Sequence, residues 1–243
     1  MTRIAIAIVC KTPAAETSKT RLSPPLRPEE CAAISGCFIR DLSRTIQSLA
    51  GEGDIAGHAV YTPLGSEAAL RRLLPDTFNL MVQGDGDLGA RLVKATAELL
   101  NLGHEGVILV NSDSPTLPAE ILREAASAVR QGDNVVLSPA FDGGYTLIGL
   151  SRPHPRLFED IPWGTKEVYR LTLVRARDIG LPVVKVAGWY DVDDAKSLRM
   201  LEDGFAGMGP AFAAPHLTGA EAPATRQFMH ERHASLSSAG AAR

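Results

Sequence analysis

The segment Asn111-Ser112-Asp113-Ser114-Pro115 ends an apolar run, Val107 to Val110, with a carboxylate and a turn-forming proline. A buried strand that carries an acid to its tip suits a site where a divalent cation is held against a phosphate. The competing reading is an acid that caps the helix after Pro118. A second acidic cluster, Asp191-Val192-Asp193-Asp194, follows another apolar run. Three acids so close repel one another unless solvent, a cap or a cation relieves them. A helix cap accounts for one of them, and a Mg²⁺ or Mn²⁺ ion shared with Asp113 is the more specific explanation for the rest.

Positive charge enters through Ser18-Lys19-Thr20-Arg21, in the loop after the first apolar run. A P-loop is rejected because it needs glycines where this chain has Pro13 and Ser18. What remains is a Lys and an Arg placed to clamp a diphosphate by charge and bidentate hydrogen bonding. In Asp142-Gly143-Gly144-Tyr145, the acid and two glycines suit either a hairpin turn or a close backbone approach to a ligand, with Asp142 as base or acceptor. Gly84-Asp85-Gly86-Asp87-Leu88-Gly89 has dinucleotide-binding spacing. Two acids beside a pyrophosphate argue against that use. Asp87 is expected instead to cap the following helix, with contact to a sugar hydroxyl or an acceptor as a further option.

The elements that must position these groups alternate. Strand-like runs at Ile4 to Val9, Ala56 to Tyr61, Leu80 to Val82, Val107 to Val110, Val135 to Leu137 and Val183 to Val186 are separated by helical patterns, with an extra strand at Tyr145 to Leu150. Such alternation predicts one α/β domain with a mostly parallel central sheet and helices on both faces. After Asp203 the composition turns to Ala, Gly, Pro and Ser with little periodicity. The domain is therefore expected to span residues 1–203, with 204–243 a disordered tail whose His216, His230 and His233 are solvated. A formal charge of −3 and the lack of a basic, aromatic-laced patch exclude a nucleic-acid partner. No run reaches the ~20 apolar residues of a membrane span, and no signal peptide is visible; the expected location is the cytoplasm. Cys10, Cys31 and Cys37 show no metal spacing and are read as structural thiols.

Together Lys11-Thr12-Pro13 with Lys19 to Leu22, Gly86 to Leu92, Ser112 to Pro118, Asp142 to Tyr145, Pro162 to Thr165 and Asp191 to Asp193 resemble a bacterial glycosyltransferase-like family related to 2-phospholactate guanylyltransferase, the DUF2064 type. That family is a branch of the GT-A nucleotide-diphospho-sugar transferase superfamily, and the resemblance covers about residues 4–203. It implies a GT-A-like fold in which Lys11, Lys19, Thr20, Arg21 and Ser112 meet the nucleotide phosphates. It implies Asp113 and Asp193 as metal ligands. Asp87, Asp142, Gly143, Gly144, Tyr145, Trp163 and Thr165 would line the sugar or acceptor. Asn111 departs from the Asp-x-Asp pattern frequent in GT-A enzymes, and Glu16 stands where a glycine is usual.

The implied reaction is metal-dependent transfer of a sugar from a nucleotide-diphospho-sugar to a small acceptor. Lys19 and Arg21 would stabilise the leaving diphosphate, with Asp142 as base. The alternatives are nucleotidyl transfer from a nucleoside triphosphate to a small phosphorylated metabolite, and a non-catalytic sugar-nucleotide sensor. A homo-oligomer is compatible with all three.

Overall fold

The computed structural model describes residues 3–50, 54–210 and 213–241. Seven strands form one sheet in the order β3-β2-β1-β4-β6-β5-β7. They are β1 (Ile4–Lys11), β2 (Ile55–Thr62), β3 (Asn79–Val82), β4 (Gly106–Asn111), β5 (Val135–Pro139), β6 (Tyr145–Leu150) and β7 (Val183–Lys185). All run parallel except β6, which is antiparallel to both β4 and β5. The strands and the mostly parallel sheet expected from the alternation are all present.

The helices are α1 (Pro28–Ala50), α2 (Glu67–Arg71), α3 (Leu88–Asn101), α4 (Ala119–Arg130), α5 (Val168–Asp178), α6 (Ala195–Phe205) and α7 (Pro223–Ala241). They cover both faces because each central strand is apolar on both. In β1, Ile4, Ile6 and Ile8 pack with α1 and α4 residues such as Phe38, Leu42 and Ile121, whereas Ala5 and Ala7 face the α3 residues Leu92, Ala95 and Leu99. Alternation along a strand thus feeds two cores, the arrangement a parallel sheet demands.

The expected disordered tail is corrected by α7. Buried Asp41 of α1 accepts hydrogen bonds from the Ala224 and Thr225 amides (2.9 and 2.7 Å) and from the Thr225 hydroxyl (2.7 Å), and so caps the helix from a distant part of the chain. Met229 is buried in the core, and Arg232 donates to the Pro25 carbonyl at 2.8 Å. The packed fold therefore continues at least to His233, and α7 itself runs to Ala241. His216 and His230 are exposed, while His233 lies 3.3 Å from the Glu202 carboxylate. Residues 211–212 and 242–243 of the expected tail lie outside the described residues. Among the described residues no helix is long and apolar enough to cross a membrane.

Candidate functional site

The strand order turns back at β1: β2 and β3 lie on one side of it and β4 on the other. The loops leaving the carboxyl ends of β1 and β4 therefore diverge and open a crevice, the position where α/β sheets bind ligands. The loop after β1 closes on itself. Ser18 Oγ accepts from the Ala14 amide (3.0 Å), and the Ser18 amide donates to the Ala14 carbonyl (3.1 Å). Lys19 then takes a left-handed conformation (φ 49°, ψ 40°), which costs a non-glycine residue roughly 1–2 kcal/mol. This turn aims its side chain inward, and a one-turn 3₁₀ helix, Thr20–Leu22, follows with Leu22 buried as its anchor.

After β4, Asn111 Oδ1 accepts from the Asp113 amide at 3.3 Å and Ser112 Oγ donates to Asp113 Oδ1 at 3.0 Å. Asn111 thus holds the loop that carries the acid. The segment after β7 is stitched alongside: Trp189 donates to Pro139 O (3.2 Å), Val192 donates to Asp113 O (2.8 Å), and the Trp189 indole donates to Thr116 Oγ1 (3.1 Å). With Val192 fully buried between them, Asp191 and Asp193 are brought to the same crevice.

The charges pair closely. Lys19 Nζ lies 2.8 Å from Asp113 Oδ2 and 2.7 Å from Asp193 Oδ1, and Arg21 Nη2 lies 2.6 Å from Asp193 Oδ2. Burial alone would depress the Lys19 pKa, but the two carboxylates outweigh it and raise the value above the usual 10.5. Asp191 is pushed the other way for an acid, up to about 7, first by burial and then by the negative charges of Asp142, Asp193 and Asp113. Carboxylate oxygens of Asp142, Asp191 and Asp193 all lie within 4.8 Å of one another.

The structure brings Asp113 and Asp193 together as expected, but what joins them is the Lys19 ammonium. The trio with ligand spacing replaces Asp113 by Asp142 and Asp191. Asp191 is the residue that reading the sequence missed as a site residue; its signal was the crowding of three acids. Asp194 caps α6, accepting from the Lys196 and Ser197 amides at 2.9 and 2.8 Å.

Two cavities meet at Ser112 and Asp113. One, about 360 Å³, is polar and contains Lys11, Lys19, Thr20, Arg21 and Ser112. The other, about 270 Å³, is walled by Leu88, Leu92, Leu109, Ile148, Trp163 and Val168, and carries Asp142, Gly144, Tyr145, Thr165 and Asp191. Two of the expected acceptor residues fall elsewhere. Asp87 is exposed, and its carboxylate accepts from the Ala90 amide at 2.9 Å as the cap of α3. Gly143 (φ +94°) is needed because a Cβ there would come within 2.3 Å of the Lys166 carbonyl oxygen, so its close approach is to the chain itself. Asp142 shapes the same turn by accepting from the Gly144 amide at 2.8 Å.

The fold is that of the nucleotide-diphospho-sugar transferases, and the relatives that share it are transferases by description. A protein from Desulfovibrio desulfuricans G20, described as a presumed nucleotide-diphospho-sugar transferase, is similar with a TM-score of 0.79 and 27% identity, covering 96% of each chain. The 2-phospho-L-lactate guanylyltransferase of Halorubrum lacusprofundi is 28% identical over 209 residues, 79% of this chain and 90% of that protein. The model of the DUF2064 family, described as an uncharacterized protein conserved in bacteria, matches residues 45–165, in line with the resemblance read from the motifs. The fold is shared further with Rv0371c of Mycobacterium tuberculosis, solved in complex with manganese, at TM-score 0.50 and 20% identity over 82% of this chain and 97% of that one.

Proposed function

We propose that this protein transfers a glycosyl group from a nucleotide-diphospho-sugar to a small acceptor. The observation that carries this reading is the junction at Ser112 and Asp113 of a cation-bearing cleft with an apolar, acid-edged cavity. A diphosphate suits the first, where Lys11, Lys19 and Arg21 supply donors. These cations face Asp113, Asp193 and the neighbouring Asp142 and Asp191, so the cleft has no surplus positive charge of its own. A Mg²⁺ or Mn²⁺ ion held by Asp191 and Asp193, with Asp142 beside them and left free as the base, fits that donor set, because hard oxygen ligands and the crowding felt by Asp191 both favour a divalent cation. Bound there, the ion would neutralise charge on the departing diphosphate. Lys19 and Arg21 would then turn from the acids to the phosphates, and Asp142 would take the acceptor's proton.

A second reading, guanylyl transfer to a phosphorylated metabolite, is favoured by the likeness to the Halorubrum enzyme. Against it stands the loop after β1, whose Ala14 and Ser18 amides are satisfied within the loop, leaving side chains to do what a glycine-rich turn does with bare N–H groups. Thermal shifts with sugar nucleotides and nucleoside triphosphates, with Mg²⁺ or Mn²⁺, followed by product analysis, test the proposal. Sugar transfer supports it; release of pyrophosphate from a nucleoside triphosphate supports guanylyl transfer; binding without turnover assigns a sensor. The localisation proposed for such an enzyme is the cytoplasm.

A further inference from the structure

The apolar cavity differs from its neighbour in a way that selects a ligand. None of its lining residues is Lys, Arg or His, whereas the adjoining cleft holds Lys11, Lys19 and Arg21. Its charged groups are all acids: Asp113, Asp142 and Asp191. Of the polar donors near its mouth, the Gly144 amide bonds Asp142 and the Thr165 hydroxyl donates to Pro162 O at 2.8 Å, while the Trp163 indole N–H is buried without a partner and offers one neutral donor. In the metal-free protein a phosphate or carboxylate placed there would meet Asp142 and Asp191 with no cation to pair with, because Lys19 is already held by Asp113 and Asp193, and this is a costly desolvation without a partner. An apolar body would instead cover the half-buried Val9, Tyr145 and Trp163 over a floor of Leu92, Leu109 and Ile148, together with Leu88 at the rim, which is 40% exposed. At about 270 Å³ the cavity lies at the small end of ligand pockets and matches a one-ring molecule.

We propose that this cavity receives an alcohol with an apolar body and no anionic group. Its role as the acceptor rests on the sugar-transfer reading above, whereas its chemical class rests on the lining alone. In the transfer, the acceptor oxygen would bond to the anomeric carbon as the bond from that carbon to the diphosphate oxygen breaks. The diphosphate would leave with the electron pair, and the hydroxyl proton would pass to an Asp142 carboxylate oxygen.

The test compares benzyl alcohol with benzyl phosphate by saturation-transfer NMR on the full chain, in chelator and without nucleotide. Quenching of Trp163 fluorescence, checked against Trp163→Phe, locates the binding. The expected result is that benzyl alcohol binds at Trp163 and benzyl phosphate binds at least about tenfold more weakly, as like-charge repulsion in a partly buried site requires. Leu88→Arg, at the 40% exposed start of α3, should narrow that gap by admitting the phosphate, with the melting temperature measured to confirm that the variant is folded. Equal or tighter binding of benzyl phosphate to the unsubstituted chain, no binding of benzyl alcohol, or a gap unmoved by Leu88→Arg would each overturn the proposal. If the probes behave as expected while no sugar nucleotide binds, the transfer reading fails and the cavity's ligand class stands.

Discussion

Replacing Lys19 by Met keeps the aliphatic stem and removes the ammonium that lies 2.8 and 2.7 Å from two carboxylates and 5.9 Å from the Phe38 ring centroid. The Lys19 side chain is only 7% exposed, so the change leaves Asp113 and Asp193 facing each other without it. Breaking a fully buried pair costs ~3–5 kcal/mol. The two acids remain 31% and 24% exposed and Arg21 still reaches Asp193, so water and that arginine recover part of the loss. We expect about 2–3 kcal/mol of destabilisation at neutral pH, measured by urea unfolding in the presence of a chelator. Because the Lys19 pKa is raised, its contribution is fully present below the ordinary 10.5 and is lost only as pH rises through the higher folded value. Saturating Mg²⁺ should restore most of the lost stability by neutralising Asp193 and its neighbours. A variant as stable as the parent in chelator would refute the buried ion cluster, and a loss that Mg²⁺ does not relieve would refute its use by a metal.

Arg21, whose side chain is 71% exposed, contributes little to folding, so Arg21→Ala should leave stability unchanged while weakening nucleotide binding by about 1.5–3 kcal/mol, as isothermal titration would show. Asp191 is neutral in the fold up to about pH 7 but ionised above 3.8 when unfolded, so its penalty is absent at low pH and complete above about 7. Asp191→Asn should therefore stabilise the metal-free protein above pH 7 and much less near pH 4, while reducing the stabilisation that Mg²⁺ confers; equal gains at both pH values would contradict this. Asp41→Ala removes three hydrogen bonds at the start of α7 and should cost about 2–4 kcal/mol with loss of amide protection across that helix, which hydrogen exchange would detect.

The sheet was legible because its strands are unbroken apolar runs between helical patterns, and the crevice because Lys19, Arg21 and Asp113 sit at the tips of neighbouring strands. Other features depend on contacts that no local pattern encodes. Lys19 becomes a buried counter-ion through a single left-handed residue, a backbone choice that the composition of the loop does not encode. Asp191 joins Asp142 because the segment at Trp189 adds to the sheet beside Ala140, a pairing set by tertiary packing. The helix α7 has an Ala- and Ser-rich sequence suited to disorder, and its cap is an acid 184 positions earlier. The motif glycines misled for a similar reason: Gly143 is required by the backbone of Lys166, which spacing cannot reveal.

The acids and cations of the crevice are proposed to form one site in which a divalent ion and a nucleotide diphosphate bind together. Titration of a nucleoside diphosphate into the protein with Mg²⁺ or with chelator, repeated on Asp193→Asn, tests it most directly. Binding should be strong only when the ion is present, and should be lost in Asp193→Asn without unfolding. Binding that is indifferent to the chelator and to Asp193 would contradict it.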